Sequence, residues 1–218
     1  MSASLSKAVG VVLGYALLAV TAHAVLGALI GIGVVAGIGF WWPVTVASIV
    51  SLIVVTVWAR DGDPAHRTLR GFGALAATIA AALSMGALAV FLSDIDPSQV
   101  SQRSLPGDEL GGDAIYRAAA SVAFLLSAGV IEEVAVRSGI QFRLQGIVGG
   151  VWAEVVAGFS FVALHALRFD TLGLFAFLVV FAFVNGEIAR RTQSATWPIV
   201  VHVVSNTIVL IFAFAFRL

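Results

Sequence analysis

Cysteine is missing from all 218 residues of this chain, which excludes disulfides, thiolate nucleophiles and cysteine-built metal sites. Charge is scarce as well: Asp, Glu, Lys and Arg make up 11% of the residues, and 12 basic residues balance 12 acidic ones. A neutral, charge-poor chain offers nothing to a polyanion, so nucleic acid is excluded as a partner. Low-complexity tracts and a convincing internal repeat are also lacking, which gives an inverted-repeat transporter no support. What fills the chain is apolar: 60% hydrophobic residues and a mean hydropathy of +1.05. Soluble domains do not reach such values. The composition predicts an all-α, polytopic transmembrane helical bundle, a single membrane domain over residues 1–218 whose first partner is the lipid bilayer.

Between Lys7 and Arg60 there is no Lys, Arg, Asp or Glu, which at about 20 residues per span leaves room for two helices. They are expected over 8–38 and 43–59, with the break at Trp41-Trp42-Pro43. The start imitates a signal peptide, with Ala22-His23-Ala24 as a cleavage-like site, but the apolar run continues past it and favours an uncleaved helix. His23 stands isolated in that run and reads as a hydrogen-bonded interior group. Further spans are expected over 71–92, from 114 to the neighbourhood of Arg137, and over 148–167, 171–189 and 196–216, about seven in total. Asp94/Asp96 and Asp108/Glu109, in the polar segment 94–113, lack a calcium-loop pattern and read as a solvated turn. Under seven spans, eight basic residues, including Lys7, Arg143, Arg190 and Arg191, lie on the N-terminal side and four on the other. By the positive-inside rule the N-terminus is cytoplasmic. An Ala-, Gly- and Val-rich chain this short looks bacterial, which makes the multi-pass protein one of the inner cell membrane.

The costliest stretch is Gly129–Arg143, which sets Glu132, Glu133 and Arg137 at the end of an apolar segment. Each ionisable group costs about 2.5–3.5 kcal/mol on insertion scales, so such groups persist when they are paired, hydrated or used. Glu133 lies four residues before Arg137 and is its natural helical partner. Glu132 projects about 100° away from Glu133 and stays free for chemistry. Downstream, His165 follows Phe161 by one turn, and His202 and Asn206 are four apart on the last span. Each alone reads as helix-bundle glue. Two Glu, one Arg, two His and one Asn on three helices form a set that general acid–base chemistry can use.

Glu132-Glu133-Val-Ala-Val-Arg137 fits EExxxR, Phe161-Val-Ala-Leu-His165 fits FxxxH, and His202-Val-Val-Ser-Asn206 fits HxxxN. In this order and spacing the chain resembles the CPBP family of intramembrane proteases, which includes CAAX prenyl endopeptidases and bacteriocin-processing proteins. The resemblance covers residues 114–210, a CPBP-like catalytic core, and includes the Gly186–Trp197 stretch that leads into the last motif. One departure is Ser138 where the family usually has Gly, with Gly139 next.

The resemblance implies a membrane endopeptidase cutting a peptide or membrane-protein substrate. Glu132 would be the base that activates water, His165 would hold that water, His202 and Asn206 would donate to the oxyanion, and Glu133 with Arg137 would orient the site. No cofactor is expected; the alternative is a zinc ion held by Glu132, His165 and His202, since two His and one carboxylate suit catalytic zinc. Two other functions stay open, a non-catalytic bacteriocin-immunity or peptide-binding membrane protein and a proton-relaying transporter. One geometric obstacle stands against the site. With the expected limits, His202 and His165 differ in depth by about 15 Å. A late start of the fifth span, with 138–152 lying as an amphipathic interfacial segment, would remove it.

Overall fold

The computed structural model describes residues 3–37, 39, 41–59, 114–166 and 172–215. The expected span over 71–92 and the acidic segment 94–113 lie outside them. The described residues are helical throughout: α1 (Ala3–Val35), α2 (Trp41–Ala59), α3 (Ala114–Glu133), a π-helix (Val134–Gln141), α4 (Phe142–Val148), α5 (Gly150–Leu164), α6 (Leu172–Thr192) and α7 (Thr196–Ala215). The α1–α2 break falls where Trp41-Trp42-Pro43 predicts it, with Pro43 in the first turn of α2, where a missing N–H is harmless. The indole Nε1 of Trp42 donates to the Leu29 carbonyl at 2.7 Å and ties α2 back onto α1.

The bundle is apolar outside and charged inside. Leu13, Leu17, Leu52 and Trp152 are more than 60% exposed, whereas Glu133, Arg137, Gln141 and Asn185 have no exposure at all. In water this would be unstable; in lipid the outer leucines meet hydrocarbon, and the inner polar groups satisfy one another. Ser4–Gly33, Ala119–Val148 and Leu172–Thr192 are long and apolar enough to cross a membrane, and Trp41–Val54, Gly150–Leu164 and Thr196–Ile211 are shorter apolar helices.

Helix α3 does not stop after the Glu pair. The chain passes without a break through the π-helix, where the Phe142 N–H reaches the Arg137 carbonyl five residues back, and on through α4 to Val148. The expectation of a separate interfacial segment over 138–152 is therefore corrected: residues 138–148 prolong the Glu-bearing helix, and the break comes at Gly149. Gly149 has φ 85°, a left-handed value that glycine adopts without strain and that reverses the chain. Glu132 lies seventeen residues before this reversal and His165 sixteen after it. At about 1.5 Å per residue, two antiparallel helices bring them back to one level. A second reversal at Gln193, φ 51°, does the same for Asn185 and His202, eight residues before and nine after it. Thr192 and Ser194 shape this turn, the Thr192 hydroxyl donating to the Ile188 carbonyl at 2.7 Å and the Ser194 hydroxyl accepting from the Thr196 N–H at 3.1 Å. The depth obstacle disappears because Glu132 sits inside a long helix rather than at its end.

Candidate active site

Glu133 is the fixed point of the interior. Its Oε2 accepts from Arg137 Nε at 2.8 Å, and its Oε1 lies 3.0 Å from His202 Nδ1 and accepts from Asn185 Nδ2 at 3.2 Å. Three residues, on the π-helix, α6 and α7, converge on its two oxygens. Arg137 extends the network: Nη1 donates to Gln141 Oε1 at 3.3 Å and Nη2 to the Ala182 carbonyl at 3.1 Å, while Gln141 Nε2 donates to the Gly186 carbonyl at 2.8 Å. The guanidinium also lies 6.0 Å from the centre of the Phe161 ring. The i,i+4 pair read from the sequence is present, and it bolts α6 and α7 onto the π-helix.

Glu132, one residue earlier, faces a different environment. Its Oε2 lies 3.5 Å from His165 Nε2 and 3.9 Å from His202 Nε2, and its Oε1 lies 3.2 Å from His23 Nε2. Oε2 is buried and, among the described residues, accepts no hydrogen bond. The rings around it are held by packing. Phe161 stacks at 4.7 Å on His165, and both Phe161 and Phe181 stand edge-on to His202, at 5.8 Å and 4.8 Å. Gly129 permits the approach of α7, since a Cβ there would stand 3.3 Å from His202 Cγ.

Five of the six candidates thus meet around the two carboxylates: Glu132, Glu133, Arg137, His165 and His202. Asn206 sits one turn beyond His202, and its amide nitrogen donates to the Leu125 carbonyl at 2.9 Å, so part of its donor capacity serves the α3–α7 contact. Three residues had no assigned place in the sequence reading. Asn185 and Gln141 complete the Glu133–Arg137 network, and the only mark of Asn185 in the sequence is a polar side chain inside the apolar run of α6. His23 is hydrogen-bonded, as expected, through Nδ1 to the Ala19 carbonyl at 2.8 Å, but it is not isolated: its other nitrogen faces Glu132.

The segment 115–208 matches the family model described as type II CAAX prenyl endopeptidase Rce1-like. Residues 115–208 are thus similar to the Rce1-like family. The family resemblance drawn from EExxxR, FxxxH and HxxxN is borne out, and with it the reading of the chain as a helical membrane protein carrying a domain of an endopeptidase family. No curated protein and no solved structure matches the chain. The Rce1-like domain takes in α3 through most of α7 and holds all six candidate residues, whereas His23 on α1 precedes it.

The nitrogen and oxygen donors at the site are of the kinds zinc accepts. Their arrangement is another matter: among the described residues no group of three His, Cys, Asp or Glu side chains is placed to hold a metal ion. No step below is routed through one.

Proposed function

We propose that the protein is an intramembrane endopeptidase in which Glu132 activates water to hydrolyse a peptide bond of a peptide or membrane-protein segment. The observation that carries this reading is Glu132 Oε2, buried, without a hydrogen bond among the described residues, and flanked by the Nε2 atoms of His165 and His202. The proton positions follow from the partners. His165 Nδ1 lies 3.0 Å from the Phe161 carbonyl, which only accepts, so Nδ1 carries the proton and Nε2 presents a lone pair. A water between Glu132 and His165 then donates one proton to each, and its oxygen lone pair is directed at the substrate carbonyl. As the C–O bond forms, Glu132 takes the proton; as the C–N bond breaks, it returns that proton to the leaving amine.

The oxyanion needs donors. His202 Nδ1 is turned to the Glu133 carboxylate, which leaves Nε2 as the ring nitrogen that faces the reacting carbonyl and, when it carries a proton, donates to the oxyanion. The second hydrogen of the Asn206 amide completes the pair. Donors of this kind are worth roughly 3–4 kcal/mol each when well placed. The reaction is proposed to be metal-independent, with zinc on Glu132, His165 and His202 as the alternative.

Proteolysis of a library of membrane-segment peptides by purified protein in detergent, comparing wild type with Glu132→Ala, each with and without chelator, tests both parts. The expected result is cleavage by the wild type that survives chelator and falls by about 10²- to 10⁴-fold in the mutant. Chelator-sensitive cleavage would overturn the metal-independent route. Tight peptide binding without any cleavage would replace the protease with a peptide-binding or immunity protein.

A further inference from the structure

We propose that His23, on the first helix and outside the Rce1-like domain, is a positioning residue of the site that holds one oxygen of Glu132 so that the other faces the water. The inference rests on the protease reading above. Its basis is a division between the two oxygens of one carboxylate: Oε1 lies against His23, and Oε2 turns to His165 and His202 without accepting a hydrogen bond among the described residues.

The helix is registered to make this contact. Ala19, Leu26 and Ile30 are buried on one stripe of α1, and Leu26 and Ile30 pack with Ala123, Ile131 and Val134 of the Glu132-bearing helix run. His23 lies on that stripe, four residues after Ala19 and three before Leu26. Its ring stands edge-on to Phe124 of α3 at 6.1 Å, which limits its rotation. One hydrogen bond and one ion-pair contact close the choice of orientation: Nδ1 bonds the Ala19 carbonyl at 2.8 Å, and the buried Nε2 stands 3.2 Å from Glu132 Oε1.

Proton counting gives the contact its meaning. The Ala19 carbonyl only accepts, so His23 Nδ1 carries a proton. A neutral His23 would then set the Nε2 lone pair against a carboxylate oxygen at 3.2 Å, the contact that the bridging water relieves at His165. At His23 the relief proposed is a further proton shared by the pair, carried on Nε2 while Glu132 acts as base. Among the described residues, the titratable groups facing Glu132 are His23 from α1, His165 at the end of α5 and His202 from α7; α2 carries no titratable residue. Of the three, His23 alone contacts Oε1, so it fixes the carboxylate without occupying the reactive oxygen. A histidine serving as helix glue would need only its bond to Ala19.

Two readouts test this on the full chain in detergent. In protein with ¹⁵N-labelled histidine, both His23 ring nitrogens are expected to be protonated in the wild type, and Glu132→Gln is expected to return the ring to the neutral form protonated at Nδ1. A His23 signal indifferent to Glu132→Gln would overturn the pairing. In the peptide-cleavage assay, His23→Ala is expected to lower kcat about 10- to 100-fold, the range a misplaced catalytic group produces, with KM within about twofold. His23→Gln, which keeps a donor at that reach, is expected to recover most of the loss, and matching thermal midpoints exclude a folding defect. Wild-type kcat in His23→Ala, with Glu132-dependent cleavage intact, would overturn the positioning role alone. Absent cleavage in the wild type would overturn the protease reading, while the ¹⁵N spectrum still decides the His23–Glu132 pair.

Discussion

Arg137 has no exposure, and its guanidinium meets Glu133, Gln141 and the Ala182 carbonyl at once. Replacing it by Met leaves the Glu133 carboxylate buried with His202 and Asn185 as its remaining donors. Breaking one half of a buried pair costs about 3–5 kcal/mol, so Arg137→Met is expected to unfold at markedly lower denaturant or temperature than the wild type. Glu133→Gln combined with Arg137→Met is expected to recover part of that loss, because the uncompensated charge is gone. A double variant as unstable as the single one would show that Arg137 acts through packing on Phe161 instead. Arg137→Lys is also expected to be costly, since a point ammonium cannot serve three acceptors in a planar fork. The Glu133–Arg137 pair was readable in the sequence because four-residue spacing is local. Asn185, His23 and Gln141 were not, because the partner of each is fixed by helices that meet only in the fold, and a lone polar residue in an apolar run does not name what it faces.

At the scale of the element, α1 packs on the π-helix at a place where only glycine fits. A Cβ on Gly139 would stand 2.2 Å from Tyr15 Cδ1, inside any tolerable contact, and the Tyr15 ring also lies 5.3 Å from the Arg143 guanidinium. Gly139→Ala is expected to destabilise the bundle by about 1–3 kcal/mol in detergent unfolding, the usual cost of overpacking. Tyr15→Ala in the same chain is expected to cancel most of that penalty; additive losses would rule out the clash. This contact also explains why Ser138 in place of the family's usual glycine does no visible harm: Ser138 is accommodated as a buried residue, and the tight approach is made at Gly139. It bears, too, on the expectation of an interfacial segment over 138–152. That placing answered the depth mismatch between His165 and His202, but Gln141 bonds the Gly186 carbonyl and Arg143 lies against Tyr15, so at least two polar members of the segment meet protein and not headgroups. Hydropathy registers that a residue is polar and is blind to which neighbour satisfies it.

For the whole molecule, apolar runs gave the helices, the first break and the gap at 190–195, but the levels at which side chains meet depend on how far α3 runs on to the reversal at Gly149 and on the turn at Gln193, which span limits alone do not fix. Those reversals also sort the charges. Ala8, Val11, Val12 and Tyr15 of α1 and Ile147 of α4 pack against one core cluster that includes Leu144, and Arg190 of α6 reaches Glu154 of α5 at 3.0 Å, so Lys7, Arg143, Arg190 and Arg191 gather at one end of the bundle. His165 and Ala166 lie beyond the far end of α5. By the positive-inside rule that end is expected to be cytoplasmic, with the N-terminus and the Gly149 reversal on it and Ala166 on the opposite side, and labelling tests this orientation. The absence of cysteine makes the test clean, since any introduced thiol is the only one to react. In intact cells a membrane-impermeant maleimide is expected to label Ala166→Cys and to spare Ser6→Cys and Gly146→Cys until the membrane is opened. Gly146 is suited to this because a Cβ there meets nothing within 4 Å. The opposite labelling would invert the orientation, and labelling of Ser6→Cys together with Ala166→Cys but not Gly146→Cys would show that α1 enters the bundle from the other side than the packing of Tyr15 on Gly139 requires.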